Sequence, residues 1–274
     1  MKKILVATDF SENSVLALNY GHYLAKKLDA TLFIGHCFLP PFVDQNTPVD
    51  LIQQIQDDAE KSYQQNLDKL VEEAKQKGIE AHSVLYFSDV VSGIKECIKD
   101  KKIDLIIVGR TGNGGFLDKL LGSTATRLIS NTGIPLLLVP PMAHEPKFDN
   151  IIYATQLEHE ETDILKEVFA FSHKCDAHLK LVKVNADFEP DIEIDNDFIE
   201  EIDTEFENED YSVEIIKAKT VKEGLTKTME QNHADLLVVS TFHRNFITQL
   251  IDPSKSKQIL QDSKFPVMVF HFDD

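Results

Sequence analysis

The chain has 274 residues, 42% of them hydrophobic, enough to bury one large core or two of ordinary size. Its 28 basic and 46 acidic residues leave a formal charge of −18, which argues against nucleic acid or an anionic lipid surface as the main partner. No apolar run reaches membrane-spanning length, and Cys37, Cys97 and Cys175 lie too far apart in sequence for a CxxC pair, a usage that suits a reducing cytoplasm.

The opening MKKILVATDFSENS does not read as a signal peptide, because charged and polar residues arrive too soon after its apolar run. It reads instead as a first strand, about Lys3–Thr8, followed by a helix. Further strands are expected at about Thr31–His36, Glu80–Tyr86, Leu105–Gly109 and Pro135–Val139. These runs are nearly continuous in apolar residues rather than alternating, which indicates a parallel sheet buried on both faces. Between the second and third strands a long helix is expected after Thr47-Pro48, with Thr47 as its cap and Pro48 at its first position. Its apolar residues Ile52, Ile55, Ala59, Tyr63, Leu67, Leu70 and Ala74 recur at intervals of three or four.

After the strand IDLIIV comes GRTGNGGFLDKLLGST, from Gly109 to Thr124, with four of the chain's 11 glycines in its first seven residues. Gly109 ends a strand, and Gly122-Ser123 opens the helix STATRLIS. Glycine lets backbone N–H groups turn inward and approach a ligand closely. The start of the helix adds unpaired donors and a positive dipole end, and Ser123 and Thr124 add hydroxyls, so the whole reads as a phosphate cradle. It is not the common P-loop, since no Lys follows the last glycine, and Gly112, Gly114 and Leu117 break the GxGxxG fingerprint. Its spacing is Gly109, two residues, Gly112, nine residues, Gly122, then Ser123. The bland reading of the same glycines is a turn before an ordinary helix.

The chain then repeats itself. Ala7-Thr8 corresponds to Ala154-Thr155 and Asp29-Ala30 to Asp176-Ala177, an offset of 147, while IDLIIVG corresponds to ADLLVVS at an offset of 131. The two copies end alike, in GIPLLLVPP and KFPVMVFHF, and the prolines of PPMAHEPKFDN punctuate the junction. Such self-similarity means tandem domains of one fold, expected at residues 1–142 and 147–274. The expected architecture is α/β: two tandem doubly wound (Rossmann-like) domains with mainly parallel five-stranded sheets.

Gly-x2-Gly-x9-Gly-Ser after the fourth strand, together with VATDFSENS after the first, resembles the ATP-binding signature of the universal stress protein family. The resemblance covers the whole chain as a tandem pair, with the binding motifs complete only in the first copy. It implies that Thr8 and Asp9 belong to the nucleotide-binding residues, with Asp9 facing the adenosine half of a bound ATP. It implies that Cys37 falls where backbone groups hold adenine, and that Gly109, Gly112, Gly122, Ser123 and Thr124 hold ribose and phosphates. Mg²⁺ is expected to accompany ATP, because three phosphates need neutralising. Of the nearby cations Arg110, Lys119 and Arg127, Lys119 reads as a solvated charge and Arg127 as the partner of an acidic residue. Family members commonly pair through the last strand, so IPLLLVP and FPVMVFHF are expected to pair as an intramolecular pseudo-dimer, with a homodimer also open.

The second copy departs from the signature at each tested point. Gln156 replaces Asp9, Ser240 replaces Gly109, and STFHRNFITQLIDPS has no glycine. Phe242, His243 and Asn245 add bulk and Pro253 removes a donor, which reads as a filled, degenerate pocket. Elsewhere, PDIEIDNDFIEEIDTEFENEDY has 11 acidic residues but fails the EF-hand test. Its Ile194, Phe198, Ile202 and Phe206 recur every four residues, as in an amphipathic helix with an acidic face. His173, Cys175 and His178 supply too few ligands for a closed metal site, and Cys175 reads as a core position. His159 reads as a solvated residue at a helix start. No GxSxG or HExxH motif occurs. The resulting expectation is a cytoplasmic, ATP-binding regulatory protein with an unidentified protein partner, no catalytic residue and no resident metal of its own. The alternative is a nucleotide-independent interaction protein with a relic motif. An ATP-hydrolysing enzyme is the weakest reading, since no base for water is evident.

Overall fold

Strand β1 (Lys3–Ala7) buries Ile4, Leu5 and Val6 in succession, as a strand covered on both faces must. The computed structural model describes residues 1–39, 48–109, 123–141, 143–187, 196–241 and 265–271. In the first half β1 is followed by α1 (Glu12–Leu28), β2 (Thr31–Phe38), α2 (Val49–Gln76), β3 (Ala81–Phe87), α3 (Val90–Lys101), β4 (Leu105–Gly109), α4 (Ser123–Asn131) and β5 (Leu136–Val139). The second half runs β6 (Asn150–Ala154), α5 (Thr162–Cys175), β7 (His178–Ala186), α6 (Asn196–Glu205), β8 (Tyr211–Ala218), α7 (Val221–Gln231), β9 (Leu236–Ser240) and β10 (Val267–Phe270). A 3₁₀ turn, His159–Glu161, precedes α5.

The strands form one sheet in the order β3-β2-β1-β4-β5-β10-β9-β6-β7-β8. The two mainly parallel five-stranded sheets expected from the repeat are halves of this one sheet, joined through their last strands as expected. Each half has five parallel strands in the same relative order, and the halves fuse where β5 and β10 run antiparallel, with Leu138 opposite Val267 and Leu136 opposite Val269. The reason is that LLLV and VMVF are buried throughout; either would otherwise be an apolar edge with unpaired backbone groups. The long helix differs slightly from expectation. Pro48 is its extended cap residue, without a side-chain capping bond, and α2 begins at Val49. Thr47, the expected cap, lies outside the described residues.

Helices α1, α2, α5 and α6 cover one face of the sheet, and α3, α4 and α7 the other. Strand residues alternate between the two cores: Ile4 and Val6 face α1, while Leu5 faces α3. The acidic segment forms α6, with Phe198 and Ile202 buried and Phe206 stacked 3.8 Å from Phe169 just past its end. Ile194 lies outside the described residues.

The repeat extends to the backbone. All six positive-φ non-glycine residues among those described fall into pairs at the two sequence offsets: Phe10 with Leu157, Asp29 with Asp176, and Lys102 with His233. Asp tolerates the left-handed conformation better than most residues, which gives Asp29 and Asp176 a physical role as helix terminators. Asp104 accepts from the amides of Lys2 and Lys3 at 2.6 and 2.9 Å, and Asp235 accepts from Asp149 and Asn150 at 2.9 and 3.0 Å. Each latch ties the start of the switch-point strand to the strand beside it.

The halves also meet through α1, α5 and the intervening chain. Lys27 donates to the Asp176 carboxylate at 3.0 Å and to the Cys175 carbonyl at 3.3 Å. Phe148, fully buried, lies with its ring 5.8 Å from Tyr20, 5.5 Å from Tyr23 and 6.1 Å from Phe171. Phe148→Ala is expected to cost about 3–5 kcal/mol, read as a lower urea midpoint. On α1, buried His22 accepts a hydrogen bond from Lys77 at 3.0 Å, and burial, with Lys77 and Lys26 adding to it, holds its pKa down at about 4. The unfolded chain therefore takes up a proton at higher pH than the folded one. Stability is full above about pH 6.5 and declines as pH falls toward about 4. His22→Phe, which installs the counterpart residue Phe169, is expected to remove a pH-dependent loss on the order of 1–3 kcal/mol across that window, measured by urea unfolding at several pH values.

Candidate functional site

Strand β1 has β2 on one side and β4 on the other. The chain leaves β1 for α1 on one face and β4 for α4 on the opposite face. This divergence is the topological switch point, where open α/β sheets form a crevice beyond the carboxyl ends of their strands. The register Ala7↔Val108 brings Thr8 and Asp9 alongside Gly109 at that crevice.

The β1–α1 turn is built from short polar side chains. Thr8 is buried; its hydroxyl lies 2.9 Å from the Ser14 hydroxyl and accepts from the Phe10 amide at 3.0 Å. The Thr8 side chain is thus committed to the turn. Asp9 is exposed and accepts from the Ser11 amide at 3.0 Å and the Ser11 hydroxyl at 2.5 Å. Desolvation raises the Asp9 pKa, but hydrogen bonds from Ser11 and Ser14 outweigh it and hold the carboxyl below its usual range. Ser11 caps α1 by accepting from the Ser14 amide at 3.4 Å. Phe10 has φ 63°, and its counterpart Leu157 has φ 57°, so this strain belongs to the turn common to both halves.

Gly109 meets this turn directly. A Cβ there would lie 2.4 Å from the Asn13 carbonyl oxygen and 3.0 Å from the Ser14 amide nitrogen. These are backbone atoms, so the first turn of α1 rests on the end of β4 only because position 109 lacks a side chain. Ser123 begins α4, and Thr124 is exposed in its first turn, where unpaired N–H groups and the helix dipole favour an anion. Gly112, Gly122, Arg110 and Lys119 lie outside the described residues. Arg127 contacts the Asp89 carboxylate at 3.3 Å. Cys37 is half-buried in β2 with its sulfur toward α3, where a Cβ on Gly93 would lie 2.5 Å from it, and burial pushes the thiol up to about 11.

Sequence reasoning passed over His36. Its Nδ1 lies 2.7 Å from the Thr8 carbonyl and so donates to it, and its ring lies 4.7 Å from Phe10 and 4.4 Å from Tyr63. His36 therefore ties the β1 turn to β2 and α2. The available signal was a single basic side chain within the apolar run LFIGHCF.

The second half rebuilds the same crevice differently. Gln156 stands for Asp9, buried Ser240 for Gly109, buried Lys183 for His36, and Glu161 for Ser14. Here the polypeptide takes a 3₁₀ turn over His159–Glu161, and α5 begins three residues later than the counterpart of α1's start. The bulky residues Phe242, His243 and Asn245, with Arg244 and Pro253, lie outside the described residues. His159 is more engaged than expected: its ring lies 4.7 Å from Phe198, and its Nδ1 is 3.3 Å from Glu201. Cys175 is buried in the core, while His173 pairs with Glu209 at 3.0 Å and His178 with Asp210 at 2.8 Å. Among the described residues no group of three or more His, Cys, Asp or Glu side chains is placed to hold a metal ion.

A duplicated, doubly wound α/β protein with a switch-point crevice in each half is the class that this fold defines. The sequence model of the universal stress protein family matches residues 1–140 and again 147–271, and the chain belongs to that family. It is 32% identical over 141 residues to a universal stress protein of Methanocaldococcus jannaschii, covering 50% of this chain and 81% of that protein. It is 24% identical to a universal stress protein of Synechocystis, covering 98% of this chain and 100% of the relative. A crystal structure of a universal stress protein from Archaeoglobus fulgidus shares the fold, with TM-score 0.71, 21% identity and 98% of each chain covered. Among the described residues no helix is long and apolar enough to cross a membrane.

Gly109→Ala is expected to force the first turn of α1 off β4 and to cost about 1–3 kcal/mol, seen as a lower thermal midpoint. An unchanged midpoint would show that this close approach does not constrain α1.

Proposed function

We propose that the protein is an ATP-binding regulatory member of its family, with one nucleotide held in the first half. The observation that carries this reading is the asymmetry of the two crevices. The first keeps an exposed carboxylate, Asp9, and a side-chain-free strand end, Gly109, on either side of the switch point. The second has an amide, Gln156, and a buried hydroxyl, Ser240, at those places. The residues of the first crevice suit the ligand chemically: Asp9 is an ionised acceptor for ribose or adenine donors, and the start of α4 offers N–H groups to an anion.

In this reading Asp9 and the backbone at Cys37 hold the adenosine half, with Thr8 buttressing their turn. Gly109, Gly112, Gly122, Ser123 and Thr124 hold ribose and phosphates. Mg²⁺ arrives with ATP and neutralises phosphate charge in a chain of formal charge −18. The described part of the crevice offers no evident base to activate water, so the nucleotide acts by occupancy, changing the shape of the first half or its contacts with a partner protein.

Calorimetric titration of nucleotide-stripped protein with ATP and Mg²⁺ is expected to give one site per chain. Gly122→Val, in protein that still folds, is expected to abolish the heat, and Asp9→Ala to weaken binding about tenfold, the scale of one lost charge-assisted hydrogen bond. Two sites per chain would mean that the second crevice also works. No heat would turn the assignment to a nucleotide-independent interaction protein.

A further inference from the structure

Glu161 is a carboxylate with no solvent exposure, at the position where the first half has Ser14. A buried carboxylate is tolerated only where donors replace the lost water. Glu161 accepts from the Tyr153 hydroxyl at 2.8 Å, the Thr155 hydroxyl at 2.7 Å and the Gln156 amide at 2.8 Å. All three donors belong to the end of β6 and the turn that follows it. Thr155 in turn accepts from the amide of Leu157 at 2.8 Å, the residue in the left-handed conformation. A continuous chain of hydrogen bonds thus runs from the strained turn into one negative charge. Glu161 is also the cap residue of α5, at the positive end of the helix, yet its side chain makes no capping bond and turns to the strand instead.

The first half has the same chain with a neutral end. The Phe10 amide donates to Thr8, whose hydroxyl meets that of Ser14, and Ser14 donates to the Ser11 carbonyl at 2.8 Å. Val6 stands where Tyr153 supplies a donor. Three exchanges therefore go together: Val6 to Tyr153, Ser14 to Glu161 and Gly109 to Ser240. They add a donor, an anion and a side chain in place of an open strand end.

We propose that Glu161 is a built-in anionic ligand of the second half, holding the β6–α5 turn in one shape without any small molecule. The inference draws on the nucleotide reading of the first half only for the contrast between a crevice completed from outside and one completed from within. The second half is then a fixed scaffold against which the first half changes, through β5 and β10 and through the α1–α5 contact.

The test is chemical rescue in the full chain, read by amide hydrogen exchange across residues 153–162. Glu161→Ala is expected to lose protection at Gln156 and Leu157 by about tenfold or more, the scale of one lost hydrogen bond to a charged group. Formate, which can fill the vacated space, is expected to restore most of that protection, with chloride at equal ionic strength ineffective and the wild type unmoved by either. Formate no better than chloride, or an alanine variant protected like the wild type, would overturn the proposal. If Glu161→Ala does not fold, Glu161→Gln keeps the volume without the charge. It is expected to lose about threefold to tenfold protection at the same amides, again on the scale of a charged against a neutral hydrogen bond, and full protection would overturn the proposal. ATP titration of the same variants reads the first half separately: its failure in the wild type removes the nucleotide reading and leaves the rescue result standing.

Discussion

The antiparallel contact between β5 and β10 is the constraint on which the rest of the molecule depends. Both strands are four residues long and buried on both faces, so neither half offers its last strand to water. Pairing them satisfies two edges at once and turns two parallel sheets into one continuous sheet. It also sets the halves in opposite strand directions, so the two crevices open at opposite ends of the sheet. The same arrangement lays α1 against α5 and gives Phe148 a place among aromatic rings from both halves.

What has been duplicated and retained is scaffold. The paired left-handed residues, the two Asp latches and the close glycines Gly93 and Gly224 recur at constant offsets. Each solves a problem of chain geometry that both halves share: ending a helix, starting a strand, packing a helix onto a strand. Among the residues that differ are those around the crevices. There Asp9, Ser14, His36 and Gly109 have become Gln156, Glu161, Lys183 and Ser240, so the two halves share a frame and diverge in chemistry.

Charge shapes the surface less than the total of −18 suggests. Carboxylates on and after α6 pair with Lys166, His159 and His173, and Glu214 pairs with Lys180. Such part-exposed pairs contribute little energy each. The lysines Lys166 and Lys180 offset one carboxylate each, while α6 is held on the second half by its buried Phe198 and Ile202. In the first half, Arg127 at α4 is likewise engaged with Asp89.

The sequence by itself determined the fold class, the tandem repeat, the strand positions to within a residue or two and the amphipathic face of α6. These follow from local periodicity and from residues such as Asp29, Asp176 and the paired Ala-Thr strand ends, whose effect on the chain is local. It also pointed to the crevice ends Asp9 and Gly109, because a strand end followed by small polar or glycine residues marks a switch point in this class of fold. Tertiary structure alone decided that Thr8 serves its turn, that His36 ties the β1 turn to β2 and α2, and that Glu161 is buried among donors from Tyr153, Thr155 and Gln156. In sequence Glu161 is one acid in the run EHEE and looks solvated. Its role depends on donors from Tyr153, Thr155 and the Gln156 backbone amide, which the fold of the β6–α5 turn brings together and no periodicity in the sequence marks.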